Sequence, residues 1–159
     1  MSELSHVDES GAARMVDVSG KDVTARTAVA SGRVRTTAEV IGLLSANGLP
    51  KGDALATARI AGVLGAKRTS ELIPLCHQIA LSKVDVRFEL DGDSVRIEAT
   101  VRTNDRTGVE MEALTAVTVA GLTVHDMIKA VDPAASLDEV RVEAKDGGKT
   151  GSWRREEGR

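Results

Sequence analysis

Aromatic side chains are nearly missing from this chain: its 159 residues hold one Phe, one Trp and no Tyr. That removes the stacking platforms on which single-stranded nucleic acids are bound. It also leaves Val, Leu, Ile, Ala and Met to fill any core. Cysteine is as scarce. The single Cys76 can form no internal disulfide and fits a reducing, cytoplasmic setting. Neither sign of charge is in large excess, with 21 Lys and Arg against 24 Asp and Glu and a formal net charge of −3. Binders of nucleic acid or anionic membranes carry a basic balance, so neither partner is expected. Unbroken hydrophobic runs are lacking too. The most apolar stretch, 111–131, is interrupted by Glu112, Thr115, His125, Asp126 and Lys129, which excludes a membrane span. The polar, acidic start has neither the basic nor the apolar part of a signal peptide.

What is present is ordinary for one globular domain, with 42% apolar and 28% charged residues. Residues 1–14 read as a flexible arm, 15–145 as a single domain and 146–159 as a Gly-rich, charged tail. Partial alternation predicts a strand over 22–35. Thr36-Thr37 can cap a helix ending near Asn47-Gly48, and Asp53 can cap a second over 54–65. A short third helix over 69–73 stops at Pro74. Val84, Val86, Phe88 and Leu90, then Val95, Ile97, Ala99 and Val101, alternate with polar residues around Asp91-Gly92-Asp93, the pattern of a hairpin. A helix over 107–131 and a strand at 140–145 complete the chain. Strand, helices, strand, strand, helix, strand predicts an α+β fold of ferredoxin-like type, an antiparallel sheet with helices on one face.

The long helix places Glu110 and Glu112 near its start and Asp126 and Lys129 near its end. Asp126 and Lys129 are three apart and share a face. Glu112 and Asp126, fourteen positions apart, lie about 21 Å apart along the axis. One small-molecule site can hardly use both from one chain. Either one end is catalytic, or a second subunit brings the opposite end alongside; we favour an oligomer with sites at its interfaces. Solvated charges and one ordinary salt bridge account for the same residues equally well.

Lys67 and Arg68 lead into a Pro-bent loop that presents Cys76 and His77. The histidine could shuttle protons. Adjacent residues point different ways, however, so the two form no dyad, and a buried thiol beside a hydrogen-bonded imidazole is the commoner case. Lys51, just before a helix N-terminus, is placed to attract phosphate, as are Lys21 and Arg26; an exposed lysine in a turn is the plainer reading. Gly147-Gly148-Lys149-Thr150 is no phosphate loop of the Walker type, because Glu143 stands where the first glycine belongs and no helix follows. Three His and one Cys without ligand spacing point to no metal.

Four segments go further: ARMVDVSGKDVTARTAVASG (13–32), KGDALATARIAGVLGAKRTSELIPLCH (51–77), TGVEMEALTAVTVAGLTVHDMIKAVD (107–132) and KDGGKTG (145–151). With them the chain resembles the cyclic pyranopterin monophosphate synthases of molybdenum cofactor biosynthesis. The resemblance implies a homo-hexamer, a trimer of dimers with active sites between subunits. It implies a lyase acting on a cyclised dihydro-GTP made by a radical S-adenosylmethionine enzyme, releasing pyrophosphate and using no cofactor of its own. By motif, Asp126 and Lys129 stand as the acid/base pair, Lys51 as a further catalytic lysine, and His77 and Glu112 as active-site groups. Leu75, Cys76, Glu110 and Met111 fall beside the substrate, and Lys21, Arg26, Lys67, Arg68, Lys145 and Lys149 are candidates for its triphosphate. The chain departs from the family pattern at His125 (usually aromatic), Gln78 (usually Pro) and Arg106 (usually Lys). A catalytically silent ligand-binding paralogue is the alternative, but it would be expected to have lost Asp126, Lys129 or Lys51, all of which are here.

Overall fold

Residue patterning and turn chemistry place nine elements among the described residues. A computed structural model describes residues 5–49 and 53–158. Strand β1 (Thr24–Arg35) is followed by helices α1 (Ala38–Ser45), α2 (Ala54–Lys67) and α3 (Thr69–Leu72), the hairpin β2 (Leu81–Asp91) and β3 (Ser94–Asp105), helix α4 (Glu110–Ile128), then β4 (Ser136–Asp146) and β5 (Trp153–Arg154). The sheet order is β2-β3-β1-β4-β5, with every pairing antiparallel. β1 and β2 are thus separated by β3, and β3 and β4 by β1. That is the doubly split βαβ arrangement of the ferredoxin-like fold, and the expectation holds.

Local chemistry accounts for the helix starts. The Thr37 hydroxyl accepts from the Val40 amide at 3.3 Å, and the Asp53 carboxylate accepts from the Ala56 amide at 3.0 Å. Helix α4 is shorter than the 107–131 read from its apolar pattern, because Thr107-Gly108-Val109 serve as its lead-in from β3. Strand β4 is longer than expected. Glu139 lies at φ 53° and the β1–β4 register slips around it, so alternation is broken where the strand begins.

The scarcity of aromatics shapes the core. Ala28, Ala30 and Val34 of β1 and Val95, Ile97, Ala99 and Val101 of β3 point at Ala113, Ala116, Val117, Ala120 and Val124 of α4, all buried. Each buried Val or Ile contributes about 1.5–3 kcal/mol. Small residues also let α2 approach α4 closely. A Cβ on Gly62 would stand 3.0 Å from the Ala116 carbonyl oxygen, and one on Gly65 would stand 2.8 Å from Val119 Cγ2. The opposite sheet face is polar, laced by pairs such as Arg33–Glu139, Arg87–Asp85 and Arg141–Glu143. Exposed pairs of this kind add little stability.

Topology then decides where chemistry can gather. Thr24, the first residue of β1, pairs with Asp105, the last of β3, and Thr27 pairs with Asp146, the last of β4. The start of α4 follows β3 by four residues, so strand ends and helix start converge at one edge. Arg35, Ser94 and Ser136 mark the other edge, where α4 ends.

Candidate active site

At the first edge lies a cleft of about 780 Å³. It is walled by Lys21 and Asp22, by Thr24 and Arg26 of β1, by Arg106 to Glu110, and by Lys145 to Thr150. Five basic groups line it: Lys21, Arg26, Arg106, Lys145 and Lys149. Four of them are the triphosphate candidates of the sequence reading. Arg26 is fixed by donating to the carbonyls of Asp105 (3.2 Å) and Arg106 (3.3 Å), and Arg106 Nε donates to the Lys21 carbonyl at 3.0 Å. Lys145 Nζ lies 3.2 Å from Glu110 Oε1, which offsets the charge of that acid at the start of α4. The first turn of α4 has no side-chain cap, so its amides and dipole also favour an anion. Thr24 Oγ1, buried in this wall, has no hydrogen-bond partner among the described residues.

Gly147 and Gly148 bring the β4 end against β1. Both have positive φ, 94° and 75°. A Cβ on Gly147 would fall 2.1 Å from the Ala25 carbonyl oxygen, and one on Gly148 would fall 2.2 Å from Arg26 Nη1. Gly147→Ala is expected to cost about 2 kcal/mol of stability, read as a lower denaturant midpoint. A parent-like midpoint would mean that the backbone there gives way freely.

A second cleft of about 420 Å³ adjoins the first, sharing Arg106 and Thr107 and lined also by Met15 to Ser19, His77 and Gln78. His77 Nε2 lies 2.7 Å from the Val16 carbonyl oxygen. A carbonyl only accepts, so Nε2 carries the hydrogen and Nδ1 is left to exchange a proton. Asp17 lies close enough for the imidazole to help lower its carboxyl, although bonds from Ser19 lower it more. Glu112, in the first turn of α4, is buried, and burial first, with a smaller contribution from the Glu110 charge, pushes its pKa up to about 7. Burial and the Glu112 charge likewise raise the Cys76 thiol. A carboxyl poised near neutrality is suited to give and take protons.

At the far end of α4, Lys129 Nζ donates to Asp126 Oδ1 at 2.7 Å, both side chains half exposed. The pair is the one expected from its spacing, and it stands apart from both clefts. Lys67 and Arg68 sit exposed at the end of α2 and line neither cleft. Leu75 and Cys76 lie half-buried in the loop after α3, and Met111 is exposed on α4. Lys51 lies outside the described residues. Sequence reasoning passed over Asp17 as a site group and treated Arg106 only as a departure. A basic residue directly before Thr-Gly-Val-Glu-Met-Glu was the available signal for the latter.

The sequence profile of the MoaC family matches residues 15–148. The chain belongs to the MoaC family. The second cleft, the Asp126–Lys129 pair and all of the basic cleft except Lys149 and Thr150 fall within the matched span. Among MoaC-family relatives, a protein of Mycobacterium tuberculosis named cyclic pyranopterin monophosphate synthase 2 is 64% identical over 153 residues, 96% of this chain and 92% of its own. A cyclic pyranopterin monophosphate synthase of Streptomyces coelicolor is 66% identical over 152 residues, 96% of this chain and 89% of its own. One from Corynebacterium efficiens is 62% identical over 153 residues, 96% of this chain and 99% of its own. No helix among the described residues is long and apolar enough to cross a membrane.

Proposed function

We propose that this chain is a cyclic pyranopterin monophosphate synthase, a lyase of molybdenum cofactor biosynthesis that converts a cyclised dihydro-GTP into cyclic pyranopterin monophosphate and pyrophosphate. The observation that carries this is the basic cleft, where Lys21, Arg26, Arg106, Lys145 and Lys149 converge beside an uncapped helix start. Family membership and the names of relatives across 96% of the chain agree with it.

The chemistry follows from what the groups can do. Closing a cyclic phosphate requires a substrate hydroxyl to attack the α-phosphorus while the bond to the β-phosphate breaks. The electron pair leaves with pyrophosphate, whose charge the basic cleft offsets. Rebuilding a purine-derived ring as a pterin needs several proton transfers. Glu112, with its pKa near 7, can give or take a proton at this edge, and His77 Nδ1 can accept one. Asp126 and Lys129 supply an acid/base pair, with Lys51 beside them in role. They lie at the other end of α4, so we read the working enzyme as a cytoplasmic homo-hexamer in which an antiparallel neighbour carries its Asp126–Lys129 pair to the cleft edge. Residues 15–145 form the catalytic unit in this reading, and the upstream radical S-adenosylmethionine enzyme supplies the substrate.

The test is turnover by the purified chain alone. One pyrophosphate should appear per pterin, the latter read as its fluorescent oxidation product. Tight binding of the intermediate without either product would instead indicate a silent member of the family.

A further inference from the structure

Beyond β4 the chain turns back on itself. Lys145 pairs with Trp153 and Ala144 with Arg154, and the Gly151 amide donates to the Gly148 carbonyl at 3.2 Å. The hairpin so formed carries Lys149 and Thr150 on the wall of the basic cleft, and Asp146 stands on the same wall. An unpaired carboxylate there would oppose a polyphosphate. Arg154, which is not itself part of the lining, grips Asp146 with two bonds, Nη1 to Oδ1 at 3.2 Å and Nη2 to Oδ2 at 3.0 Å. This fork geometry is the strong form of an arginine–carboxylate pair. Bonds from Arg154 first, and then Ser152, hold the Asp146 carboxyl below its usual range. The hairpin has other anchors, since the Arg155 amide donates to the Glu143 carbonyl at 2.8 Å and its Nε to the Val142 carbonyl at 2.9 Å.

We propose that Arg154 is a positioning residue for the polyphosphate: it occupies the Asp146 carboxylate, so that this wall meets the anion with lysine charge and not with an unpaired acid. The inference rests on the reading of the basic cleft as the triphosphate site.

The experiment compares the intact enzyme with Arg154→Ala, Asp146→Asn and the double variant, using substrate kinetics and inorganic pyrophosphate as product inhibitor. Arg154→Ala should raise KM and the pyrophosphate inhibition constant about three- to fivefold, and kcat should fall by less. The effect should shrink at high salt. Asp146→Asn in the same chain should bring both constants back to within about twofold of the parent, because the uncompensated charge is gone. Melting temperatures separate this from a loss of fold. Parent-like constants in Arg154→Ala, or a loss that Asp146→Asn does not restore, would overturn the proposal. Arg26→Ala is the control for the cleft itself. If Arg26→Ala weakens pyrophosphate and Arg154→Ala does not, only this proposal fails. If neither matters, the cleft reading fails with it.

Discussion

Lys129→Ala and Asp126→Ala are each expected to lower kcat about a thousandfold or more while melting temperature and oligomer size stay at parent values. The expectation follows from the acid/base role proposed for the pair and from its exposure. The two side chains are half exposed and bonded to each other at 2.7 Å. An exposed pair three residues apart on a helix is worth only about 0.3–0.5 kcal/mol to folding. Loss of this bond should therefore cost the fold little, whereas loss of a proton donor in the proposed role costs about 10²–10⁴ in rate. Steady-state kinetics with a thermal melt on the same sample reads both quantities. Activity within tenfold of the parent in either variant would assign the pair to structure.

Glu112→Gln should make the protein slower but, at neutral and alkaline pH, more stable. The carboxyl is buried and its pKa lies near 7 instead of 4.5. Between those values the folded state holds a proton that the unfolded chain has lost, so stability falls as pH rises through this window. The penalty is absent below about 4.5, grows to about 7, and is full above it; its ceiling is about 3 kcal/mol. Glutamine keeps the shape and removes the charge. Denaturant curves at pH 8 should therefore favour the variant by about 1–3 kcal/mol, and those at pH 4.5 should nearly coincide, while kcat falls about a hundredfold. Equal stability at both pH values would mean that a cation compensates Glu112 in the folded protein, and a parent-like kcat would remove it from the chemistry.

Much of the fold was legible because β2, β3 and the apolar face of α4 keep clean periodicities. The first residues of β4 were not, since Glu139 takes a left-handed conformation and shifts the strand's alternation. The Asp126–Lys129 pair follows from helical spacing alone. The basic cleft needed the fold. Lys21, Arg26, Lys145 and Lys149 could be named singly through the family resemblance, but their convergence depends on β1, β3 and β4 ending at one edge. Arg106 reaches the Lys21 carbonyl across 85 positions, and His77 reaches Val16 across 61. No local pattern encodes such contacts. Lys67 and Arg68, equally basic in sequence, end on the exposed tip of α2 outside both clefts.

The most direct test of the account mixes two inactive chains. Asp126→Ala and Glu112→Ala proteins are purified separately, combined under conditions that exchange subunits, and assayed for pyrophosphate release. If opposite ends of α4 from two subunits build one site, mixed interfaces contain an intact set, and random exchange should return about a quarter of the parent rate. No recovery, with exchange confirmed by mass, would contradict a site shared between subunits.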